Sequence, residues 1–150
     1  MLTDRISTLP LTPPVTVQSG TSVGRAVEEI QKRNVGCVLV YEAGRMIGII
    51  TERDMLLKVV ARDVDYGTRK IDDFMTRDPV TLSPDNSIGD AATLMTERHF
   101  RHIPVIAADG TATGIVSIKD IIQLLAESFP EQVLNLPPRP HQRMETPEGG

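Results

Sequence analysis

Apolar positions recur along the chain at two spacings, helical and extended, and the two alternate in the same order twice. Val23, Ala26, Val27 and Ile30 fall at i, i+3, i+4 and i+7, one face of a helix, and Ile88, Ala91, Ala92 and Met95 repeat that spacing. Ser22 and Ser87 stand just ahead of these stretches, where a hydroxyl accepts from the first unsatisfied helical N–H groups. CVLVY and HIPVI are short runs rich in β-branched residues, followed by glycine-bearing turns at Glu42 to Arg45 and at Ala108 to Thr111. MIGIIT and TGIVS come next and read as their hairpin partners. Further helices are expected at about 52 to 61 and 118 to 128, with Met55, Leu56 and Val59, then Ile121, Ile122 and Leu125, on one side. PVTV and PVTL open extended segments, because proline lacks a ladder donor and suits the first residue of a strand. The order is β, α, β, β, α, written twice.

The two halves also match residue by residue. An offset of 65 carries Pro14, Val15 and Thr16 onto Pro79, Val80 and Thr81, Ser22 onto Ser87, Gly24 onto Gly89, Arg33 onto Arg98, Val40 onto Val105, and Ile6 onto Ile71. One residue inserted in the second hairpin turn changes the offset to 66, which places Gly48 on Gly114, Ile49 on Ile115, Thr51 on Ser117 and Asp54 on Asp120. A single loop insertion is tolerated, and ordered matches on both sides of it point to an internal duplication. One copy, at roughly 55 residues, buries too little surface to be stable alone, so the two sheets are expected to pack together in an α+β fold. The chain divides into an N-terminal segment with the first repeat at 1–61, a connector at 62–78, the second repeat at 79–128 and a Pro-rich tail at 129–150. The PPRP in that tail has a polyproline character suited to docking a partner, though such tails commonly serve only as tails.

Composition narrows the classes. The chain has 150 residues, 40% of them apolar and 24% charged, and no apolar run approaches the roughly 18 residues of a membrane span. The first fifteen residues mix charge, hydroxyl and proline without an apolar core, from which a cytoplasmic location is expected. A net charge of −4 and 3% aromatic residues disfavour general nucleic-acid binding, while leaving room for a local basic pocket that holds one phosphate group. Cys37 is the single cysteine, so no internal disulfide forms, and its small apolar strand slot reads as a core thiol. No nucleophile has a base at motif spacing, His99 and His102 lack a third metal ligand nearby, and there is no Gly-rich phosphate loop. An enzyme is therefore not expected.

The segments IDDFMTRDPVTL, RHIPVI, GIITERD and GIVSIKD, in duplicated order over about residues 5 to 128, resemble those of cystathionine-β-synthase-type (CBS) domains. The resemblance implies two βαββα repeats packed sheet to sheet with pseudo-two-fold symmetry, two clefts between them, and a disc-like homodimer of such pairs. It also implies AMP, ADP, ATP or S-adenosylmethionine as ligand, with no catalytic cofactor and no metal. Carried over by motif, Asp54 and Asp120 become ribose ligands, and Thr51 and Ser117 phosphate-side hydroxyls. Backbone around Thr16, Val17, Thr81 and Leu82, and around Cys37, Val38, Ile103 and Pro104, becomes the adenine frame. With no catalytic domain evident, such a module acts in trans on a partner that the sequence does not name.

The residues support the same chemistry without the resemblance. A vicinal diol offers two O–H donors that one carboxylate accepts as charge-assisted hydrogen bonds, and a helix N-terminus favours phosphate. Arg53, Lys119, Arg101 and His102 are the phosphate-side candidates, whereas Arg33, Arg98 and His99 at helix ends read as solvated. TERD and SIKD equally read as capping boxes, with the acid reaching back to the cap, and that alternative stays open. Gly48 and Gly114, three residues ahead, suggest a close backbone approach by a ligand. Because copy two has Arg101, His102 and Pro104 where copy one has Gly36, Cys37 and Leu39, the site of Asp120 is expected to be the better equipped, unless residues cross over from the other copy. The competing function is a constitutive dimeric interaction module whose clefts stay empty.

Overall fold

The computed structural model describes residues 1–128; the PPRP segment and the rest of the tail lie outside the described residues. A 3-10 turn at Ile6–Thr8 precedes the first copy: β1 (Thr16–Gln18), α1 (Val23–Arg33), β2 (Cys37–Glu42), β3 (Arg45–Thr51) and a short α2 (Glu52–Asp54). The connector contributes β4 (Thr76–Arg77), and the second copy holds α3 (Ile88–Arg98), β5 (His102–Ile106), β6 (Ala112–Ser117) and α4 (Ile118–Ser128). Both first helices start as expected. Ser22 Oγ accepts from Arg25 N at 3.2 Å, and Ser87 Oγ accepts from Asp90 N at 3.0 Å while the Asp90 carboxylate accepts from Ser87 N at 2.9 Å. They also end alike, on left-handed Asn34 and His99.

The hairpins pair as the apolar runs predict. Cys37 faces Thr51 and Leu39 faces Ile49 in the first, His102 faces Ser117 and Pro104 faces Ile115 in the second, and both carry an irregularity at the same repeat position, Val40/Tyr41 and Val105/Ile106. Two expectations need correction. Leu82, in PVTL, makes an isolated parallel bridge to Val105 instead of a strand, because proline-flanked residues there offer few ladder groups. The helix expected over 52 to 61 changes after one turn into π-helical bonding over Met55–Val60, with Ala61 N donating to Leu56 O at 3.0 Å and Val64 N to Val59 O at 3.2 Å.

Each sheet is completed by the segment that precedes the opposite copy. In the first sheet, β1 runs parallel to β2, and β4 from the connector adds antiparallel to β3, through Gly48 with Arg77 and Ile49 with Thr76. On the second sheet, Thr12, upstream of copy one, bridges to Ile115 of β6, whose N–H donates to the Thr12 carbonyl at 3.0 Å. The same exchange holds at the helix starts: Val23 N donates to Arg69 O, and its counterpart Ile88 N donates to Asp4 O, both at 2.9 Å. Gly48 and Gly114 are therefore required by protein rather than by ligand. A Cβ on Gly48 would lie 2.5 Å from Met75 Sδ, and one on Gly114 would lie 2.7 Å from Leu11 Cβ.

Three apolar clusters follow from this exchange. One holds Val17, Val23, Ala26, Val38, Val40 and Ile50 of copy one with Ile71, Phe74 and Met75 of the connector. Another holds Leu82, Ala91, Met95, Ile103, Val105 and Val116 of copy two with Ile6 of the N-terminal segment. Between the sheets, Cys37, Leu39 and Ile49 pack against Ala112 and Ile115, and Tyr41 Oη accepts from Ala112 N at 3.3 Å. Two βαββα repeats thus pack sheet to sheet with pseudo-two-fold symmetry.

Candidate functional site

The second helix of each copy opens on the paired hydroxyl and carboxylate. Thr51 Oγ1 accepts from Asp54 N at 3.1 Å, and Asp54 Oδ2 accepts from Thr51 N at 3.0 Å. In the other copy Asp120 Oδ2 accepts from Ser117 N at 2.7 Å and from Ser117 Oγ at 3.1 Å, with Asp120 N donating to Ser117 Oγ at 3.4 Å. The amides between are also engaged, Glu52 N with Gly36 O at 3.0 Å and Ile118 N with Arg101 O at 3.1 Å. Helix-opening N–H groups that the sequence offered to phosphate are thus largely satisfied inside the protein, and an anion there has to be met by side chains. Capping does not use up the carboxylates, since each oxygen has two lone pairs.

Asp54 lies on a cleft of about 530 Å³ whose walls come from three parts of the chain. Copy one supplies Gly36, Ile49, Thr51, Glu52, Arg53 and Asp54; the connector and its continuation supply Thr76, Asp78, Pro79 and Val80; copy two supplies Arg98, His99, Phe100, Arg101, His102 and Pro104. The crossing reverses the expectation for the two sites: Arg101, His102 and Pro104 line the cleft of Asp54, whereas Ser117, Lys119 and Asp120 are not among its walls. The reason is steric. The His102 ring reaches across to Gly36, where a Cβ would lie 2.4 Å from its Nε2, so the missing side chain on copy one makes room for the ring from copy two.

The remaining sequence-predicted residues divide clearly. Thr16 and Val17 line a separate, more open groove of about 340 Å³ with Arg25, Glu29 and Arg33, the last paired to Glu29 at 3.8 Å. Thr81 is exposed, while Leu82, Val38 and Ile103 are buried in the cores of their own copies. Cys37 is buried between the sheets, and burial, with Glu52 acting in the same direction, pushes its thiol up to about 12, consistent with a core role. Of the eight residues expected around an adenine, Pro104 is the one on the large cleft; Leu82, Val38, Ile103 and Cys37 are buried in cores, Thr16 and Val17 line the smaller groove, and Thr81 is exposed elsewhere. The apolar walls are instead Ile49, Pro79, Val80 and Phe100. The sequence placed Thr76 and Asp78 in the connector and Pro79 and Val80 at the start of an extended segment, gave Phe100 no role, and read Arg98 and His99 as solvated. Arg98 and His99 are exposed yet border the cleft, and the Arg98 guanidinium lies over the Phe100 ring, 5.6 Å from its centroid.

The charge balance favours an anion. Arg53, Arg98 and Arg101 face Glu52, Asp54 and Asp78, but Asp54 already pairs with Lys58 at 3.2 Å, which leaves a cationic surplus. Burial holds the His102 imidazole below its usual pKa, helped by Arg101 and Lys119 and opposed by Glu52 and Asp120. Among the described residues no group of three or more His, Cys, Asp or Glu could hold a metal ion, and no helix is long and apolar enough to cross a membrane.

Comparison with known proteins gives two matches to the CBS domain, at residues 6–61 and 71–127. A 17.7 kDa protein of Acidianus ambivalens is 32% identical over 124 residues, which cover 82% of this chain and 74% of that protein. The chain spans between 40% and 57% of the length of three further curated relatives. Among solved structures, a CBS domain protein from Pyrobaculum aerophilum complexed with AMP is similar at a TM-score of 0.72 and 25% identity, covering 83% of this chain and 99% of that one. The CBS domain pair of protein MJ0100, in complex with 5′-methylthioadenosine and S-adenosyl-L-methionine, has a TM-score of 0.75 at 25% identity, covering 83% and 98%.

Proposed function

The chain belongs to the CBS domain family, and from that premise we propose that it is a non-catalytic regulatory module that binds a phosphate-bearing adenosine nucleotide in the cleft of Asp54 and acts in trans on a partner protein. The observation that carries the reading is the composite cleft, in which the Asp54 carboxylate of one copy faces Arg98, Arg101 and His102 of the other. The carboxylate accepts the ribose diol, the arginines meet phosphate, and Ile49, Val80, Phe100 and Pro104 offer apolar surface to the base. Complexes of similar CBS proteins with AMP, and with 5′-methylthioadenosine and S-adenosyl-L-methionine, support an adenosine ligand. The cationic surplus favours AMP, ADP or ATP over a sulfonium-bearing ligand. A nucleotide at 100 times its dissociation constant should raise the stability of the chain by about 2.7 kcal/mol. Thermal unfolding with AMP, ADP, ATP and S-adenosylmethionine reads this, and absence of a shift with all four at millimolar concentration returns the clefts to the alternative of an empty interaction module.

That alternative has its own support in the satisfied capping boxes, and the two readings share a second expectation, a homodimer. Leu56 and Ile122 occupy the same repeat position on the two second helices and are 59% and 60% exposed, with Val60 and Leu125 exposed beside them. A pseudo-symmetric pair of apolar helix faces is suited to cover by the same faces of a second copy. Sedimentation of the parent at micromolar concentration should give a dimer, and the double variant Leu56→Glu/Ile122→Glu should give a folded monomer. A monomeric parent, or a dimer unchanged in the variant, removes this assembly.

A further inference from the structure

The two copies differ in bonding just after Asp54 and Asp120, where copy one turns π-helical over Met55–Val60 and copy two continues as α4. π-helical turns inside helices occur often at functional positions. Lys58 lies in this stretch, and its ammonium makes two contacts. It sits 3.2 Å from Asp54 Oδ1 and donates to the Phe74 carbonyl at 3.0 Å, with its side chain 36% exposed and that of Asp54 17%. Asp54 Oδ2 is held from the other side by Thr51 N. Phe74 leads through Met75 into Thr76 and Arg77, whose backbone closes the edge of the first sheet against Ile49 and Gly48, and Thr76, Asp78 and Pro79 form a wall of the cleft. One side chain thus joins the carboxylate on the cleft, the irregular helix turn and the connector. At the offset of 66, position 58 falls on Leu124, which has no charge to offer, so the link exists in one copy alone.

We propose that Lys58 is a positioning residue for the nucleotide and the element that makes binding felt in the connector. The inference rests on the nucleotide reading of the cleft. Lys58 from one side and Thr51 N from the other hold the Asp54 carboxylate in one orientation on the cleft. When a ribose diol donates to that carboxylate, it shares the negative charge that holds the ammonium, and the balance between Asp54 and the Phe74 carbonyl shifts. Phe74 to Arg77 respond because their amides belong to the same short segment: Phe74 N and Met75 N both donate to Ile71 O at 2.9 Å, and β4 pairs with β3.

Amide hydrogen exchange with and without saturating AMP, on the parent and on Lys58→Met and Lys58→Arg, tests this. In the parent AMP should slow exchange both at the cleft, over Thr51 to Asp54, and in Phe74 to Arg77. Lys58→Met should bind AMP roughly two- to fivefold more weakly, as expected for loss of a partly exposed ion pair, keep the cleft protection at saturation and lose the response of Phe74 to Arg77. Lys58→Arg, which retains the charge and the donors, should restore that response. Lys58→Gln serves if the methionine variant folds poorly, with the same outcome expected. Equal affinity and an undiminished response of Phe74 to Arg77 in the uncharged variants overturns the role of Lys58 while leaving the nucleotide reading intact. Absence of AMP protection over Thr51 to Asp54 in the parent overturns the nucleotide reading, and this inference with it.

Discussion

Replacing Leu39 by alanine should lower the stability of the whole chain by about 2–5 kcal/mol, the range for removing a fully buried leucine side chain and leaving a cavity. Leu39 has no exposed surface and lies between the sheets, against Ile49 of its own copy and Ala112 and Ile115 of the other. Its loss therefore weakens the contact on which both small cores depend, and neither core has a second sheet to turn to. Urea unfolding followed by far-UV circular dichroism should show one transition at a lower midpoint. A change under about 1 kcal/mol, or two separate transitions, would mean that the copies are stable independently and that the shared cluster is not what joins them.

Asp54→Ala should weaken AMP binding by about 1.5–3 kcal/mol, the worth of a hydrogen bond to a charged group, or roughly 10- to 150-fold in dissociation constant. Asp120→Ala should leave binding at that cleft close to the parental value, because Asp120 is not among its walls. Both variants keep the cap hydroxyl but lose the carboxylate that reaches back to it, Asp54 to Thr51 N and Asp120 to Ser117 N, and should melt lower by a similar amount, about 1 kcal/mol. Stability alone therefore does not separate the two aspartates, whereas calorimetric titration does. Parental affinity in Asp54→Ala, combined with lower melting in both variants, would show that the repeated carboxylates serve only as helix caps.

Much of the fold could be read from the sequence because each element carries a local signal. The helices announce themselves by apolar spacing after Ser22 and Ser87, the hairpins by β-branched runs around Gly44 and Gly110, and the duplication by its two offsets. The site was only half legible. A repeat alignment compares each residue with its counterpart, so it grouped Arg101 and His102 with Asp120, their neighbour in sequence; the cleft is built across copies, and His102 reaches Gly36 instead. The pairing of Gly36 with His102 has no short-range signature. Lys58 did have one, as a cation four residues after Asp54 on a helix. Its second contact, with the carbonyl of Phe74, depends on where the connector returns, which spacing along one helix does not reveal. The change to π-helical bonding is equally silent, since Met55 to Val60 are all acceptable in an ordinary helix.

The exchange of flanking segments between the copies sets an order on synthesis from the ribosome. When β3 has emerged its outer edge is still bare, and it closes only once Thr76 and Arg77 follow. Thr12, made much earlier, finds no partner until Ile115 is available more than a hundred residues later. A nascent chain halted between those points therefore carries an open strand edge, a template for pairing with a neighbouring nascent chain.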